Sequence, residues 1–328
     1  MFVRVRAVRY LVESDHSFGL SIAEMLREVG HMPPVDPTEV DLVFRGRKVV
    51  RDRALIMAII NRTTDSFFDQ GATFGEEEAQ NAISRAVAAG ADVIDIGGVR
   101  AEAGPEVSTG EEIDRVAPVV QWARETYPDL FISVDTWRRE VGEEVCRVGA
   151  DIINDSWAAA EPELMDVAAK YGTGYICTHT GGQAPRTVPV RPRYEDVVAT
   201  VVEETVRLAE LAAAKGVPRG GILIDPTLGI LYGKDTDYNV TLLRHVRAFV
   251  DTGWPVLMAI SNKDFIGEIL DADLEDRMVG TLAATAYAAN AGAVMFRAHH
   301  VRETRQVAEM IATINGSRPP SRPYQWTA

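Results

Sequence analysis

The sequence is poor in cysteine and has no long apolar run. Its two cysteines among 328 residues, Cys146 and Cys177, lack a metal-binding spacing, so we expect reduced, buried thiols rather than a disulfide framework. No apolar stretch reaches the roughly 20 residues that cross a bilayer. The opening MFVRVRAVRY carries arginine where a secretory signal needs an uninterrupted apolar core. These absences predict a cytoplasmic protein without a membrane partner.

Positive charge is also scarce. The chain has 34 Lys and Arg against 48 Asp and Glu, a formal net charge of −14. A general nucleic-acid binder needs a basic stripe, so nucleic acid is not an expected partner. An anionic substrate would be repelled by the overall field, and its site would need local cations or a metal ion.

The order of the apolar runs predicts the fold class. From residue 54 onward, short runs rich in Val and Ile alternate with amphipathic helical stretches, as is typical of parallel strands buried on both faces. The runs are ALIMAII (54–60), DVIDI (92–96), FISVD (131–135), DIIND (151–155), GYICT (174–178), GILID (221–225), VLMAI (256–260) and AVMFR (293–297). Eight such units predict an α/β fold of the (β/α)8 TIM-barrel type. A Rossmann-type sheet is the alternative, but no G-x-G-x-x-G follows the first run.

The repeat also predicts how the chain is divided. Residues 1–53 precede the repeat, and within them LVFRGRKVV indicates a β-hairpin about Arg45 and Gly46. We expect this segment to be an extension packed on a barrel of residues 54–315, followed by a polar tail of residues 316–328. Within the barrel, Thr109 and Glu112 have the spacing of a helix capping box.

Polar side chains follow nearly every apolar run. The candidates are Asn61, Asp65, Asp95, Asp135, Asn154, Asp155, Asp225, Ser261, Asn262, Lys263, Arg297 and His299. Active sites of (β/α)8 barrels lie at the carboxyl ends of the strands. Any one of Asp65, Asp95 or Asp155 fits a turn or cap equally well, whereas the whole set favours a functional site.

The residue types indicate what such a site would bind. Lys263, Arg297 and His299 are suited to an anion such as phosphate or pyrophosphate. Asn61 offers a neutral oxygen to Mg²⁺, which takes few protein ligands and shares phosphate oxygens. Asp135, Asn154 and Asp225 form a set of donors and acceptors for the edge of a nitrogen-rich heterocycle.

Two further features lie near the fifth run. His179 stands at its end with no second ligand nearby in sequence, so a hydrogen-bonded loop histidine is favoured over a metal ligand. The long loop 179–193 contains three Pro and three Arg, and loops of this length are lids or mobile connections. We favour a lid.

Seven motifs in order resemble the dihydropteroate synthase family. They are MAIINRTTDSFFDQG, DVIDIGG, ISVDT, IND, IDPTLGILYGK, SNKDFIG and FRAHHVRET, and they span nearly all of residues 54–315. This family condenses 6-hydroxymethyl-7,8-dihydropterin pyrophosphate with p-aminobenzoate. The resemblance implies Mg²⁺ as cofactor and a homodimer.

The resemblance also implies a role for each candidate residue. Asp135, Asn154, Asp225 and Lys263 would hold the pterin, with Asp135 and Lys263 as the catalytic pair. Asn61, Arg297 and His299 would bind pyrophosphate, and Asn61 would also bind the metal.

Departures from the family pattern cluster on the p-aminobenzoate side. After Gly97 and Gly98 the family usually has Glu-Ser-Thr-Arg-Pro-Gly, whereas this chain has VRAEAG (99–104). Asn262 stands where arginine is usual, so Ser261, Asn262 and Arg100 are the residues left on that side. In these departures the chain resembles the divergent second paralogue of actinobacteria.

The sequence leaves two functions open. One is a transferase that joins the pterin to p-aminobenzoate or to another amine. The other is a catalytically inactive paralogue that binds a pterin or phosphate. A methyltransferase acting on a reduced folate is a third possibility, but the chain contains no corrinoid module.

Overall fold

The computed structural model describes residues 41–63 and 75–322. The strands are β1 (Val43–Phe44), β2 (Arg47–Lys48), β3 (Leu55–Asn61), β4 (Val93–Gly97), β5 (Phe131–Asp135), β6 (Ile152–Asp155), β7 (Gly174–Thr178), β8 (Ile222–Asp225), β9 (Leu257–Met258) and β10 (Met295–Ala298). The α-helices are α1 (Glu76–Ala89), α2 (Thr109–Thr126), α3 (Arg139–Val148), α4 (Leu164–Tyr171), α5 (Val197–Ala214), α6 (Thr236–Arg244), α7 (Val246–Val250), α8 (Asp264–Leu270), α9 (Met278–Asn290) and α10 (Val301–Ile314).

Strands β3 to β10 form the predicted barrel. Their order is β8-β7-β6-β5-β4-β3-β10-β9, with parallel pairing throughout. A parallel bridge between Ile224 and Val256 joins the two end strands. All eight predicted runs coincide with barrel strands, so the (β/α)8 prediction is confirmed.

Successive side chains of each barrel strand alternate between the helix-facing core and the barrel interior. In β5, Ile132 and Val134 belong to the core between sheet and helices. The intervening Ser133 points the other way, and its Oγ donates at 2.7 Å to Oδ1 of Asp95, its register partner on the neighbouring strand β4. Because successive side chains of a strand face opposite sides, the polar residues at the strand ends share the barrel interior.

The predicted hairpin closes the opposite end of the barrel. Strands β1 and β2 are antiparallel, and Arg45 and Gly46 turn between them with φ of 49° and 72°, as a tight hairpin turn requires. Phe44 is fully buried, and the Arg45 guanidinium donates to the carbonyl of Ala150 at 3.1 Å. The hairpin thus covers the amino-terminal ends of the strands. Residues 1–40 lie outside the described part, so the proposed division into segments stays a prediction.

The capping-box prediction was wrong by one residue. Ser108 is the N-cap of α2, and its side chain pairs reciprocally with Glu111. Glu112 instead turns inward, is fully buried, and accepts from Arg138 Nη1 at 2.8 Å. A one-residue shift rotates the helix face by about 100°, since α-helices have ~3.6 residues per turn, and this rotation takes Glu112 out of solvent.

Within residues 41–63 and 75–322, no helix combines the length and apolar character needed to span a bilayer.

Candidate functional site

A cavity of about 130 Å³ lies at the carboxyl ends of the strands. Most candidate residues line it, namely Asn61, Arg100, Asp135, Ser261, Lys263, Arg297 and His299. Asn154 and Asp225 are buried and do not line the open space. Asp65 falls outside the described residues. The cavity is smaller than the ~300–1,000 Å³ of typical ligand pockets.

One guanidinium joins two carboxylates on the cavity floor. Arg297 Nε donates to Asp95 Oδ2 at 2.6 Å, and its Nη2 donates to Asp135 Oδ2 at 3.2 Å. Burial opposes the charged guanidinium, yet these two carboxylates raise the pKa of Arg297. Burial likewise raises the pKa of Asp135 to about 6, against the attraction of Arg297. The floor therefore holds a charge-sharing triad in which Arg297 is protonated at neutral pH.

Further hydrogen bonds fix both carboxylates. Asp95 accepts from Asn154 Nδ2 at 3.1 Å, in addition to the bond from Ser133. Asp135 Oδ1 accepts from Ser156 Oγ at 2.6 Å. Asn154 thus lies beside the triad as the sequence predicts, with its amide nitrogen directed to Asp95.

Asp225 and Lys263 occupy the side of the barrel next to this triad. Asp225 Oδ1 accepts from the backbone N–H of Thr227 at 2.7 Å. Burial raises the pKa of Asp225 to about 6, and the charge of Lys263 opposes this shift. Lys263 Nζ lies 5.7 Å from the ring centroid of Tyr232, a cation–π distance. Burial also lowers the pKa of Lys263.

His299 lines the rim of the cavity as a neutral group. Its Nδ1 lies 2.9 Å from Ser261 Oγ, and its backbone N–H donates to the same oxygen at 3.1 Å. Burial, followed by the charge of Arg297, lowers the pKa of His299 to about 3. At neutral pH, His299 therefore offers a hydrogen-bond donor or acceptor rather than a positive charge.

The loop after β4 contributes an ion pair to the cavity wall. Arg100 Nε lies 2.5 Å from Glu102 Oε2, and both residues line the cavity. Arg186, from the long loop after β7, donates to the carbonyl of Glu102 at 3.5 Å. The predicted lid segment thus reaches the loop after β4 across the barrel mouth.

Asn262 does not face this cavity. Its backbone adopts φ of 56° and it is fully buried. Its N–H donates to Thr281 Oγ1 at 3.1 Å, and its Nδ2 lies 3.3 Å from His300 Nε2. Of the three residues expected on the acceptor side, only Ser261 and Arg100 line the cavity.

Gly97 ends β4 and Gly98 follows it, and the two glycines have different structural roles. A Cβ on Gly98 would stand 2.8 Å from Val116 Cγ1 and 3.1 Å from Glu112 Cγ of α2. A Cβ on Gly97 would meet its nearest heavy atoms, in Asp135 and Asn61, only at 3.7 and 3.9 Å. Gly98 is therefore required by close helix–strand packing, while Gly97 leaves room in the cavity wall.

Sequence reasoning missed an aromatic wall. Trp157 and Tyr232 line the cavity with ring centroids 5.8 Å apart, and Trp137 packs edge-on against Trp157. Tyr232 is presented by a 3₁₀ turn, Ile230–Tyr232, inside the IDPTLGILYGK motif. The aromatic type of Trp157 directly after a strand-end Asp155-Ser156 pair was the available signal.

A known protein family matches most of the length of this chain. The profile of the family described as pterin binding enzyme matches residues 57–299. A Mycobacterium leprae protein named inactive dihydropteroate synthase 2 is 54% identical over 281 residues, covering 84% of this chain and 96% of that protein. The dihydropteroate synthase of Haemophilus influenzae is 35% identical over 256 residues, covering 78% and 92%.

The same fold occurs in a solved relative. A crystal structure of Yersinia pestis dihydropteroate synthase with a sulfonamide drug complex superposes with a TM-score of 0.79 at 32% identity, covering 85% of this chain and all of that one. The barrel and the site thus define a pterin-binding (β/α)8 protein. The chain belongs to the pterin-binding enzyme family, and within it is dihydropteroate synthase-like.

Proposed function

We propose that this chain binds a pterin in the barrel mouth and forms little or no dihydropteroate from it. The observation that carries the proposal is the Arg100–Glu102 pair, which lines the cavity on the acceptor side. Glu102 adds a carboxylate to the side of the cavity where the family resemblance places p-aminobenzoate, and this carboxylate would repel an acceptor that is itself a carboxylate. The name of the 54% identical Mycobacterium leprae relative, inactive dihydropteroate synthase 2, supports the same conclusion.

The ring-binding half of the site is retained in this proposal. Asp135, Asn154 and Asp225 supply carboxylate and amide groups to the N–H and C=O edges of a pterin. Lys263 and the aromatic ring of Tyr232 lie 5.7 Å apart beside the same space. A planar ring against Tyr232 would bury apolar area and stack on an aromatic face.

The anion-binding half takes the pyrophosphate and its metal. Arg297 and His299 would contact phosphate oxygens, and Asn61 would offer its side-chain oxygen to Mg²⁺. The donor set fits a magnesium ion held mainly by pyrophosphate and water, because Asn61 lines the cavity with Arg297 and Mg²⁺ takes one or two protein oxygens. No group of three or more His, Cys, Asp or Glu suited to a metal occurs in the described residues.

The same residues define what catalysis would require. When bound, Mg²⁺ would neutralise charge on the leaving pyrophosphate. Arg297 would add hydrogen bonds to the leaving oxygens, and Asp135 would stabilise positive charge developing at the pterin methylene. Asp135 now shares its charge with Arg297 through a contact of 3.2 Å, so its role at the methylene would require that contact to weaken, whereas Arg297 has further N–H donors for the leaving oxygens.

We attribute the low synthase activity to the p-aminobenzoate side of the site. Position 262 supplies no cation to the barrel mouth. It is an asparagine, and it is buried against Thr281 and His300. Arg100 is paired with Glu102, which weakens its attraction for a benzoate. A desolvated carboxylate without a partner costs on the order of 2–5 kcal/mol, enough to suppress acceptor binding.

A second candidate is a transferase that uses another amine. The observation in its favour is that Glu102 lies in the same cavity as Asp135, Lys263 and Arg297. An acceptor with a cationic or neutral tail would be attracted by Glu102 where p-aminobenzoate is repelled. Such an enzyme would release pyrophosphate only when that amine is supplied.

We also propose a cytoplasmic homodimer. Both cysteines are free and buried, which suits a reducing compartment. Exposed apolar side chains on neighbouring helices α8, α9 and α10 support self-association; they are Ile269, Leu270, Val279, Tyr287, Met310 and Ile314. Clusters of this kind commonly mark interfaces.

Ligand binding tests the proposal. Isothermal titration with 6-hydroxymethyl-7,8-dihydropterin pyrophosphate and Mg²⁺ should detect saturable binding. Asp225→Asn should weaken it about tenfold or more, because hydrogen bonds to a charged group contribute ~1.5–3 kcal/mol. The matched control is Asp166→Asn, since Asp166 is paired with Lys215 at the surface. Absence of binding by the unsubstituted chain would contradict the proposal.

A further inference from the structure

Lys234 is a fully buried lysine behind the cavity. Its Nζ donates to the carbonyls of Thr227 at 2.7 Å and His179 at 3.2 Å. Among the described residues these bonds go to backbone carbonyls, while the carboxylates of Asp225 and Glu204 act on Lys234 through their charge. Burial lowers the pKa of Lys234 to about 7. A buried amine held by backbone carbonyls instead of an acid is costly to bury, so a specific role is expected.

The residue that Lys234 holds is itself unusual. Thr227 has φ of 53°, a left-handed conformation that β-branched residues rarely adopt. Its N–H donates to Asp225 Oδ1 at 2.7 Å, and its Oγ1 donates to the Asp225 carbonyl at 3.1 Å. The N–H of His179 donates to the same Oγ1 at 3.2 Å. The N–H of Thr227 thus orients the Asp225 carboxylate, its hydroxyl ties the ends of β7 and β8 together, and its carbonyl is held by Lys234.

A second set of bonds anchors Lys234 in turn. Asn239, fully buried at the start of α6, donates from Nδ2 to the Lys234 carbonyl at 2.9 Å. Its Oδ1 accepts from the N–H of Gly229, also at 2.9 Å. The segment between Gly229 and Lys234 contains the 3₁₀ turn that presents Tyr232 to the cavity. One network therefore sets the placement of Asp225 and of Tyr232.

We infer that Lys234 is a positioning residue for ring recognition, acting through Thr227 on the carboxylate of Asp225. It is not a catalytic residue, because its Nζ is fully buried and bonded to the backbone carbonyls of Thr227 and His179. This role rests on the proposed function, in which Asp225 contacts a pterin. It also explains the left-handed backbone of Thr227, because a strained conformation is kept only where surrounding contacts hold it in place.

Lys234→Met tests the inference, with Lys215→Met as the control. Lys215 is a lysine near the surface, paired with Asp166 away from the barrel mouth. Three quantities are measured: amide hydrogen exchange at Thr227 in the ligand-free protein, affinity for 6-hydroxymethyl-7,8-dihydropterin, and affinity for inorganic pyrophosphate with Mg²⁺. Pyrophosphate probes the Arg297 side of the site, which Lys234 does not contact.

We expect Lys234→Met to speed exchange at Thr227 and to weaken dihydropterin binding, each about tenfold or more, from the loss of the hydrogen bonds to the Thr227 and His179 carbonyls. Pyrophosphate affinity should stay unchanged, as should every quantity in the control. Equal weakening of both ligands would show general loosening of the fold and overturn the inference, as would unchanged exchange at Thr227.

Failure of the proposed function is distinguishable from failure of this inference. If the unsubstituted chain binds no dihydropterin, the proposed function falls, and exchange at Thr227 alone decides whether Lys234 positions that segment. If Lys234→Met does not fold, Lys234→Gln, which keeps a nitrogen with N–H donors, is measured in the same way. If both variants unfold, Lys234 is needed for folding itself and the positioning role is overturned.

Discussion

At the scale of single residues, the site is defined by competition for a few hydrogen bonds. Asp135 already accepts from Ser156 and Arg297, and Asp95 from Asn154 and Arg297. A pterin that takes Asp135 must therefore replace bonds that the protein makes with itself. Binding then gains only the difference between the two sets, which favours a selective rather than a tight site.

The stability of the protein should depend on pH through Asp225. Burial raises the pKa of Asp225 to about 6, against ~3.9 for an unperturbed Asp. Between pH ~4 and ~6 the folded state retains a proton that the unfolded chain releases, so stability falls as pH rises through this window. Asp225→Asn removes the effect.

We therefore expect the free energy of unfolding of Asp225→Asn, relative to that of the unsubstituted chain, to rise by on the order of 3 kcal/mol between pH 4 and pH 7. Urea unfolding at several pH values measures this difference. A stability difference that stays constant with pH would mean that Asp225 does not titrate in this window.

The residue types at the strand ends were predictable, but the direction of some side chains was not. Asp135, Lys263 and Arg297 follow buried strands of fixed alternation, so their sequence positions determine which side they face. Asn262 follows a strand too, but its left-handed backbone turns it toward Thr281 of α9. That contact involves a later helix, and no pattern local to SNK predicts it.

At the scale of secondary-structure elements, Gly98 sets how closely α2 approaches β4. A Cβ there would stand 2.8 Å from Val116 Cγ1. Gly98→Ala should therefore destabilise the fold by about 1–3 kcal/mol through overpacking. The matched control is Gly110→Ala on α2, where a Cβ meets nothing within 4 Å.

Gly110→Ala should leave stability unchanged or raise it by up to ~1 kcal/mol, because alanine favours a helix over glycine. Chemical denaturation of both variants measures the two changes. Equal effects of the two substitutions would show that the contact with Val116 does not limit the packing of α2.

Strands were the elements most fully predicted. Each apolar run is bounded by polar or glycine residues, and burial on both faces leaves one way to place it. The start of α2 was misplaced because Thr109 and Ser108 both suit an N-cap, and tertiary packing of Glu112 decides between them. The 3₁₀ turn at Ile230–Tyr232 depends on the Asn239 and Lys234 network, which joins residues too far apart for a local pattern.

At the scale of the whole molecule, the proposed homodimer can be tested directly. Val279 on α9 is 72% exposed among other apolar side chains of α8 to α10. Val279→Asp would place a charge in the proposed interface, where desolvation makes it costly. We expect a dimer for the unsubstituted chain and a shift to monomer for the variant in sedimentation velocity.

Val50→Asp serves as the control, because Val50 is 92% exposed and follows the hairpin on the opposite end of the barrel. It should leave the dimer intact. A monomer at all concentrations for the unsubstituted chain would remove the homodimer from the proposal.

The fold could be predicted almost entirely from the spacing of apolar runs, while the function could be predicted only in part. Asp135, Asn154, Asp225 and Lys263 could be chosen from the sequence because barrel sites lie at strand ends. What the altered loop does could not be predicted. It depends on the Arg100–Glu102 pair and the reach of Arg186 from another loop.

The central claim is that pterin binding persists without dihydropteroate synthesis. The most direct measurement incubates the protein with 6-hydroxymethyl-7,8-dihydropterin pyrophosphate, Mg²⁺ and p-aminobenzoate, and follows dihydropteroate by mass spectrometry alongside pyrophosphate release. We expect saturable binding of the pterin, no dihydropteroate above a metal-chelated control, and no release that depends on p-aminobenzoate. Dihydropteroate formed with turnover, and lost in Asp135→Asn, would contradict the account and establish a working synthase.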